Sequence, residues 1–342
     1  MKIALDAMGH DEGPAPLLAG AALALREFPD ITRLYLTGDT TRLEKELKKI
    51  DCNDGRIEIV HATQVVEMQD SAIDAVRRKK DSSVSRAVEL VKTGSADAIV
   101  SAGHTGAAVA ASTIKLRTLP GIERPAIAAT MPTETNLFLL IDAGANTDPT
   151  PRQMLDNALM GAVYSQHVLG YTNPSVGLMS IGTEDEKGND FTRETFELLK
   201  ASSLNFRGNV EGHDLFENPV EVVVADGFTG NIVLKTSEAI AHAIFRWMKH
   251  EIKSGLMTSL GGLLAKPALK RIHKKTNSDE YGGSPLLGVN GVCIIAHGGS
   301  SPVAIKNAIR MAVESIRHQV NPHIVEAAQR NHDQTQQPSA AT

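Results

Sequence analysis

One pattern recurs six times along the chain: a short apolar run, a small loop containing glycine, then helical spacing. Lys2–Leu5 leads into Asp6-Ala-Met-Gly-His-Asp11, Ala98–Val100 into Ser101-Ala-Gly-His-Thr-Gly106, and Leu137–Ile141 into Asp142-Ala-Gly-Ala-Asn-Thr-Asp148. Val176–Met179 leads into Ser180-Ile-Gly-Thr183 and a charged stretch to Asp190, Val220–Val224 into Ala225-Asp-Gly-Phe-Thr-Gly230, and Val292–Ile295 into Ala296-His-Gly-Gly-Ser-Ser301. Repeated strand–loop–helix units predict an α/β fold with a mostly parallel sheet. The runs are continuous rather than alternating, so helices are expected on both faces.

Local signals fix several helices. Thr150-Pro-Arg-Gln153 reads as a capping box with proline at the first helical position, followed by helical spacing to Gly170. Ser301-Pro302 opens another helix, and a third pattern runs from about Ile232 to Ile252. With no linker rich in proline, glycine or serine, residues 1–325 are expected to form one domain, with an amphipathic helical protrusion at about 232–280. Residues 326–342 are rich in Gln, Asn and Ala and are expected to be a disordered tail.

Composition removes several classes. The net charge is −5, with one Trp and four Tyr, which argues against a nucleic-acid binder. Cys52 and Cys293 are too few and too far apart for a disulfide framework or a Cys-x-x-Cys zinc site, and imply a reducing, cytoplasmic setting. Asp6 interrupts the first apolar run, so no signal-peptide core is expected, and no run of about 18 apolar residues predicts a membrane span. The segment from Leu256 is different. Leu256, Met257, Leu260, Leu263 and Leu264 have helical spacing, then Lys266, Lys270, Arg271, Lys274 and Lys275 follow with no acid among them. Gly261, Gly262 and Pro267 are expected to break it into a hairpin. It reads either as a core helix with a solvated end or as an apolar tip for a membrane surface or an acidic partner.

In an open parallel sheet, ligands bind beyond the carboxyl ends of the strands, so all six loops are expected to face one crevice. Backbone N–H groups at the following helix starts would make an anion site, phosphate being the commonest such anion. Gly103-His-Thr-Gly106 and Gly227-Phe-Thr-Gly230 resemble each other. The P-loop, the dinucleotide Gly-x-Gly-x-x-Gly, His-Glu-x-x-His, the EF-hand loop and Gly-x-Ser-x-Gly are all missing, and no spacing indicates a metal site. Charged candidates are Lys187, as a mobile cation, and His10, His104 and His297, of which His297 is the best general acid. Asp6, Asp142 and Asp226 follow strands directly and could orient a cation or cap a helix.

DAMGHD, SAGHTGA, DAGAN, SIGTEDEKGN, ADGFTGN and AHGGSS, in this order from about residue 2 to 320, resemble the PlsX family of acyl-carrier-protein:phosphate acyltransferases. The family pattern usually has Gly at position 10 and Asn at position 104, so an imidazole at His104 is not essential chemistry. It usually has a single glycine where this chain has Gly298-Gly299. The resemblance implies a three-layer α/β/α fold similar to phosphotransacetylase and to isopropylmalate dehydrogenase-like folds, without metal or other cofactor. It implies transfer of a long-chain acyl group from acyl carrier protein to inorganic phosphate for phospholipid synthesis, by a cytoplasmic homodimer peripherally associated with the inner face of the membrane. On that reading Ser101, Gly103, His104, Thr105 and Gly106, with Asp226, Gly227, Thr229 and Gly230, hold phosphate. Lys187 and His297 act in catalysis, while Asp6, Gly9, Asp142 and Asn146 line the crevice. Leu256, Leu260, Leu263, Leu264, Lys266, Lys270 and Arg271 contact an anionic membrane or the carrier protein. Rival readings are a short-chain phosphotransacetylase using acyl-CoA, a decarboxylating dehydrogenase, and a non-enzymatic membrane scaffold for lipid synthesis.

Overall fold

The computed structural model describes residues 1–217 and 220–336. Its strands are β1 (Lys2–Asp6), β2 (Arg33–Gly38), β3 (Ile57–His61), β4 (Ala98–Ser101), β5 (Ala126–Pro132), β6 (Leu137–Ile141), β7 (Ser175–Met179), β8 (Asn205–Val210), β9 (Val222–Val224), β10 (Ser284–Leu287) and β11 (Val292–Ile295). Its helices are α1 (Ala15–Glu27), α2 (Thr40–Lys49), α3 (Ala72–Arg78), α4 (Ser83–Lys92), α5 (Thr105–Leu116), α6 (Pro151–His167), α7 (Asp190–Lys200), α8 (Gly227–Ile252), α9 (Leu256–Thr276), α10 (Ser278–Tyr281), α11 (Pro302–Arg317) and α12 (Val320–Gln336). All strands join one sheet in the order β3-β2-β1-β4-β11-β10-β5-β6-β9-β7-β8.

Alternation along the strands divides the core between the two faces. Ile3 and Leu5 pack with α1, α2, α6, α11 and α12, while Ala4 and Ile99 pack with α3, α4 and α5. Towards the other edge, Leu139 and Ile141 join the first face, and Phe138 and Leu140 pack with Val210, Val223 and the flank of α8. Both faces are covered, which is why the strands read as unbroken apolar runs.

The sheet is mostly parallel, but β10 and β5 change its sense. β10 is antiparallel to β11 and to β5, and β5 is antiparallel to β6, whereas β6, β9, β7 and β8 are parallel to one another. The parallel block β3-β2-β1-β4-β11 therefore runs opposite to the block β6-β9-β7-β8. This corrects the expectation of six loops at one common carboxyl edge. Loops after β1, β4 and β11 leave one block, and loops after β6, β7 and β9 leave strands of opposite sense.

Two further expectations change. Disorder does not begin at residue 326, because α12 continues to Gln336 and buries Ile324, Ala328 and Asn331. Residues 337–342 of the expected tail lie outside the described residues. Gly261, Gly262 and Pro267 do not break the Leu256 segment either, since α9 passes through all three. Pro267 removes one backbone donor but is tolerated on this exposed helix. Gly262 is needed for packing: a Cβ there would lie 2.2 Å from Ile252 Cγ2 at the end of α8.

Candidate active site

The loops after β1, β4 and β11 form one group. Strand register sets Asp6 beside Ser101 and Ser101 beside Ile295. Asp6 is buried and accepts from Ser101 Oγ at 2.8 Å and from the Met8 N–H at 3.4 Å. Burial pushes its carboxyl above the ordinary value, against hydrogen bonds from Ser83, Ser101 and Met8 that pull it down. Gly9 and Gly103 meet back to back, so that a Cβ on Gly9 would lie 2.6 Å from Gly103 Cα. Only glycine allows the two loops this approach.

The three loop histidines separate by their partners. His104 caps α5: Nδ1 accepts from the Ala107 N–H at 3.2 Å, and Nε2 donates to the Asp70 carbonyl at 3.1 Å. His10 accepts from the Glu12 N–H at 3.0 Å and donates to the Ser300 carbonyl at 2.9 Å. Both rings are spent on structure. His297 is exposed and accepts only from the Gly299 N–H, through Nδ1 at 3.2 Å. That bond assigns the proton of the neutral ring to Nε2, which faces no protein partner among the described residues. His297 follows Ala296, whose N–H donates to the Ser101 carbonyl at 2.8 Å, so it sits beside the α5 loop. At the start of α5, the Ala107 and Ala108 N–H groups bond to His104. The Thr105 and Gly106 N–H groups and the Thr105 hydroxyl have no partner among the described residues. Exposed donors at a helix N-terminus favour an anion.

A second group joins the loops after β6 and β9. Asp142 is fully buried and accepts four backbone N–H bonds, from Ile127 and Gly144 at 3.0 Å, Ala145 at 2.9 Å and Asn146 at 2.7 Å. Burial still pushes its carboxyl up, and the four bonds oppose that. Asn146 in turn donates to Gln153, inside the capping box of α6, at 3.0 Å. Asp226 caps α8, accepting from the Thr229 N–H at 2.8 Å and the Thr229 hydroxyl at 2.7 Å. The Gly227 N–H donates to the Asn146 carbonyl at 2.8 Å, and the Gly230 N–H to the Asp226 carbonyl at 2.9 Å. A Cβ on Gly230 would lie 2.0 Å from the Asp142 carbonyl oxygen. The expected cradle of Asp226, Gly227, Thr229 and Gly230 is thus committed to internal bonds and packing. A carboxylate, not an open set of donors, stands at the start of its helix.

Lys187 stands in a third place, the exposed loop after β7. Its side chain is 47% exposed and approaches Glu184 at 3.8 Å. Among the described residues it forms no hydrogen bond or ion pair with the other candidates. The Lys187 stem lies over Gly182, and Asn209 Nδ2 ties the loop to β8 by donating to the Glu184 carbonyl at 2.7 Å.

No residue of α9 is buried, and Leu256 is 93% and Leu264 78% exposed. Leu260 and Leu263 are exposed too, as are Lys266, Lys270 and Arg271. The reading of these leucines as core of this chain is therefore excluded. No helix among the described residues is long and apolar enough to cross a membrane. Glu211, His213 and Asp214 are the one cluster among them with metal-ligand proximity, and His213 Nε2 lies 3.0 Å from an Asp214 carboxylate oxygen.

The family model described as "Fatty acid synthesis protein" matches residues 1–323. The chain belongs to that family. It is the PlsX family that the loop motifs resemble. Family relatives include a protein of Akkermansia muciniphila, 48% identical over 95% of both chains, and one of Geobacter sulfurreducens, 48% identical over 95% of this chain and 94% of that one. Both are named phosphate acyltransferase. Among solved structures, a phosphotransacetylase from Streptococcus pyogenes matches with TM-score 0.60 at 19% identity over 93% of this chain and 94% of that one. The EutD phosphotransacetylase from Staphylococcus aureus matches with TM-score 0.57 at 17% identity over 96% and 94%. The family fold is therefore the three-layer α/β/α arrangement of the phosphotransacetylases.

Sequence reasoning missed Ser83, Asp70 and Asp11. Ser83 is buried against Asp6, the Asp70 carbonyl holds the His104 ring, and the Asp11 N–H donates to the Gly298 carbonyl at 3.0 Å. Only the buried serine run Ser82, Ser83 and Ser85, at the start of an amphipathic helix, carried a local signal.

Proposed function

We propose that the chain transfers a long-chain acyl group from acyl carrier protein to inorganic phosphate. The observation that carries this reading is the 48% identity, across nearly the full length of both chains, to proteins named phosphate acyltransferase. A phosphate oxygen attacks the thioester carbonyl carbon, the C–O bond to phosphate forms, and the C–S bond breaks. Phosphate is already anionic, so no protein nucleophile is needed. The site must orient it and stabilise the developing oxyanion and the leaving thiolate.

The Thr105 and Gly106 N–H groups and the Thr105 hydroxyl hold phosphate at the start of α5, with Ser101, Gly103 and His104 shaping the loop. The unspent donors there favour this loop over the α8 loop. His297 Nε2–H hydrogen-bonds the leaving sulfur and orients it, its Nδ1 being held by the Gly299 N–H. Lys187 is the mobile cation that closes over phosphate or the oxyanion, and its open, weakly paired side chain is compatible with that. Asp6, Gly9, Asp142 and Asn146 hold the loops in place. The leucines at the start of α9, with Lys266, Lys270 and Arg271, serve a reversible contact with an anionic membrane or the acidic carrier protein. The exposed stripe Ile240, Ile244 and Trp247 on α8, at helical spacing, supports pairing with a second copy as a homodimer.

The test is acyl-phosphate formation from long-chain acyl carrier protein and phosphate, compared with acyl-CoA donors. Preference for short-chain acyl-CoA would replace this reading with a phosphotransacetylase of small thioesters. Lys187→Ala is expected to lower turnover by roughly 10²-fold, the scale of losing one stabilising group. Sedimentation with anionic vesicles tests the α9 contact: Leu260→Glu with Leu263→Glu is expected to abolish binding without altering the melting curve. A lowered melting point together with dissociation would make these leucines dimer packing instead.

A further inference from the structure

One cavity lies away from all six loops. It has a volume of about 650 Å³, within the range of about 300–1,000 Å³ usual for small-molecule sites. β5 and β6, the end of α6, the carboxyl end of α9, α10 and α11 enclose it, and no residue of the candidate active site lines it. Its apolar wall is Leu137, Val168, Leu169 and Met311.

Its rim is cationic. Arg271, Lys274, Lys275 and Arg310 stand there against two carboxylates, Glu280 and Glu314. Glu314 is already ion-paired to Arg317 at 2.5 Å. Lys275 donates to the Glu134 carbonyl and Arg310 to the Glu280 carbonyl, while Arg271 and Lys274 hold no ion pair among the described residues. The Tyr164 hydroxyl, the Thr130 hydroxyl and Arg310 Nε, all on lining residues, are buried without a hydrogen-bond partner in the protein. These atoms are closed to a molecule the size of water, so they make the wall polar but offer an occupant no direct bond.

We propose that this cavity binds a long-chain acyl anion, its chain on the Leu137–Val168–Leu169–Met311 wall and its charged head at the Lys274–Arg310 rim. An uncharged chain would leave the cationic rim unused, and a bare anion would leave the apolar wall wet. The choice of an acyl ligand rests on the acyl-transfer reading; the cavity's chemistry does not. The site also stands at the base of α9, the helix that carries the exposed leucines. Leu260 and Lys274 are about 21 Å apart along it at 1.5 Å per residue. A chain held here would wait beside the element proposed to meet the membrane.

The experiment is a calorimetric titration of the full chain with dodecyl phosphate in saturating inorganic phosphate, which occupies the α5 loop. One ligand per chain is expected, with dodecanoate competing and dodecanol binding at least ~10-fold more weakly. Competition by dodecanoate admits a free fatty acid as occupant; a strict requirement for the phosphate head restricts the site to the acyl-phosphate product. Lys274→Glu, on an exposed helix face, and Leu169→Gln, at the apolar wall, are each expected to weaken binding about 10-fold with unchanged melting. If Leu169→Gln unfolds the chain, Lys274→Glu alone decides. No saturable binding, binding unchanged by Lys274→Glu, or complete loss of binding in inorganic phosphate each overturns the proposal. Acyl-phosphate synthesis measured on the same preparation separates the two failures: synthesis without cavity binding removes this site and leaves the proposed reaction standing.

Discussion

Gly103-His-Thr-Gly106 and Gly227-Phe-Thr-Gly230 share a pattern in sequence and both open a helix, yet the helices start at different points of it. α5 is capped by His104, which makes Thr105 and Gly106 its first two residues. α8 is capped by Asp226, one position before the pattern, which pushes Thr229 and Gly230 to the third and fourth positions. The shift of two residues changes what each group does. In α5 the threonine hydroxyl and two N–H groups stay open. In α8 the Asp226 carboxylate takes both the N–H and the hydroxyl of Thr229, and Gly230 becomes a contact surface for the Asp142 carbonyl. Similar motifs thus give one loop with spare donors and one with none to spare beyond the Phe228 N–H. The cap residue, not the Gly-x-Thr-Gly pattern, decides which is which.

The largest expected difference between the two loops is at their last glycines. Gly230→Ala would drive a Cβ into the Asp142 backbone and should cost at least the ~1–3 kcal/mol of ordinary overpacking. At Gly106 the new atom would meet only the Ala72 Cβ and the His104 ring, at 3.2 Å, so Gly106→Ala should be much milder. Chemical denaturation of the two variants measures this, and equal losses would dissolve the distinction.

Next in size are the buried carboxylates beneath the loops. Asp142→Asn would set an amide donor against backbone donors, leaving at least one N–H unpaired, and is expected to cost about 2–3 kcal/mol. Asp6→Asn should cost less, because the Ser101 hydroxyl can turn to accept. Both carboxyls are raised, so the folded state holds their protons more tightly than the unfolded chain. Stability relative to each Asn variant should fall as pH rises from the ordinary carboxylate value towards the raised one. A rise over that window would mean that the hydrogen bonds outweigh burial.

The smallest effects sharpen the functional side of the comparison. Thr105→Val should raise the phosphate KM about 10-fold with little change in stability, for loss of one hydrogen bond to a charged ligand. Thr229→Val should leave that KM unaltered and cost about 1 kcal/mol, as a weakened cap does. The reverse outcome would move phosphate to the α8 loop.

Much of this molecule is local chemistry and could be read in advance. Each of the six apolar runs is a strand, and the Thr150–Gln153 capping box, the Ser301 cap and the start of α11 at Pro302 form as their residues predict. β2, β3, β5, β8 and β10 were passed over. Glu58, Arg207 and Pro285 interrupt three of them, no glycine-containing loop and helix follow β5, and β2, with Gly38 and α2 behind it, carries the recurring pattern. Ser101, Asp6, Gly9, Gly103 and His104 do come together, because β1 and β4 are neighbours. Lys187 does not join them through any contact within the described residues, because β7 belongs to the block of opposite sense.

Sequence alone determined the α/β class, the helix starts at Pro151 and Pro302 and the family, since capping, periodicity and loop motifs depend on residues within a few positions of one another. Tertiary structure decided which loops share a site. Of the three antiparallel pairings that reverse the sheet, β10 with β11 and β5 with β6 are local hairpins, but β10 with β5 joins strands more than 150 residues apart, such as Leu286 with Ile127. The same holds for function at single residues. Nothing near Thr229 in sequence says that its hydroxyl is spent on Asp226 while that of Thr105 is free. That follows from where each helix begins, and for α8 the packing of Gly230 on Asp142, nearly 90 residues away, holds that start in place.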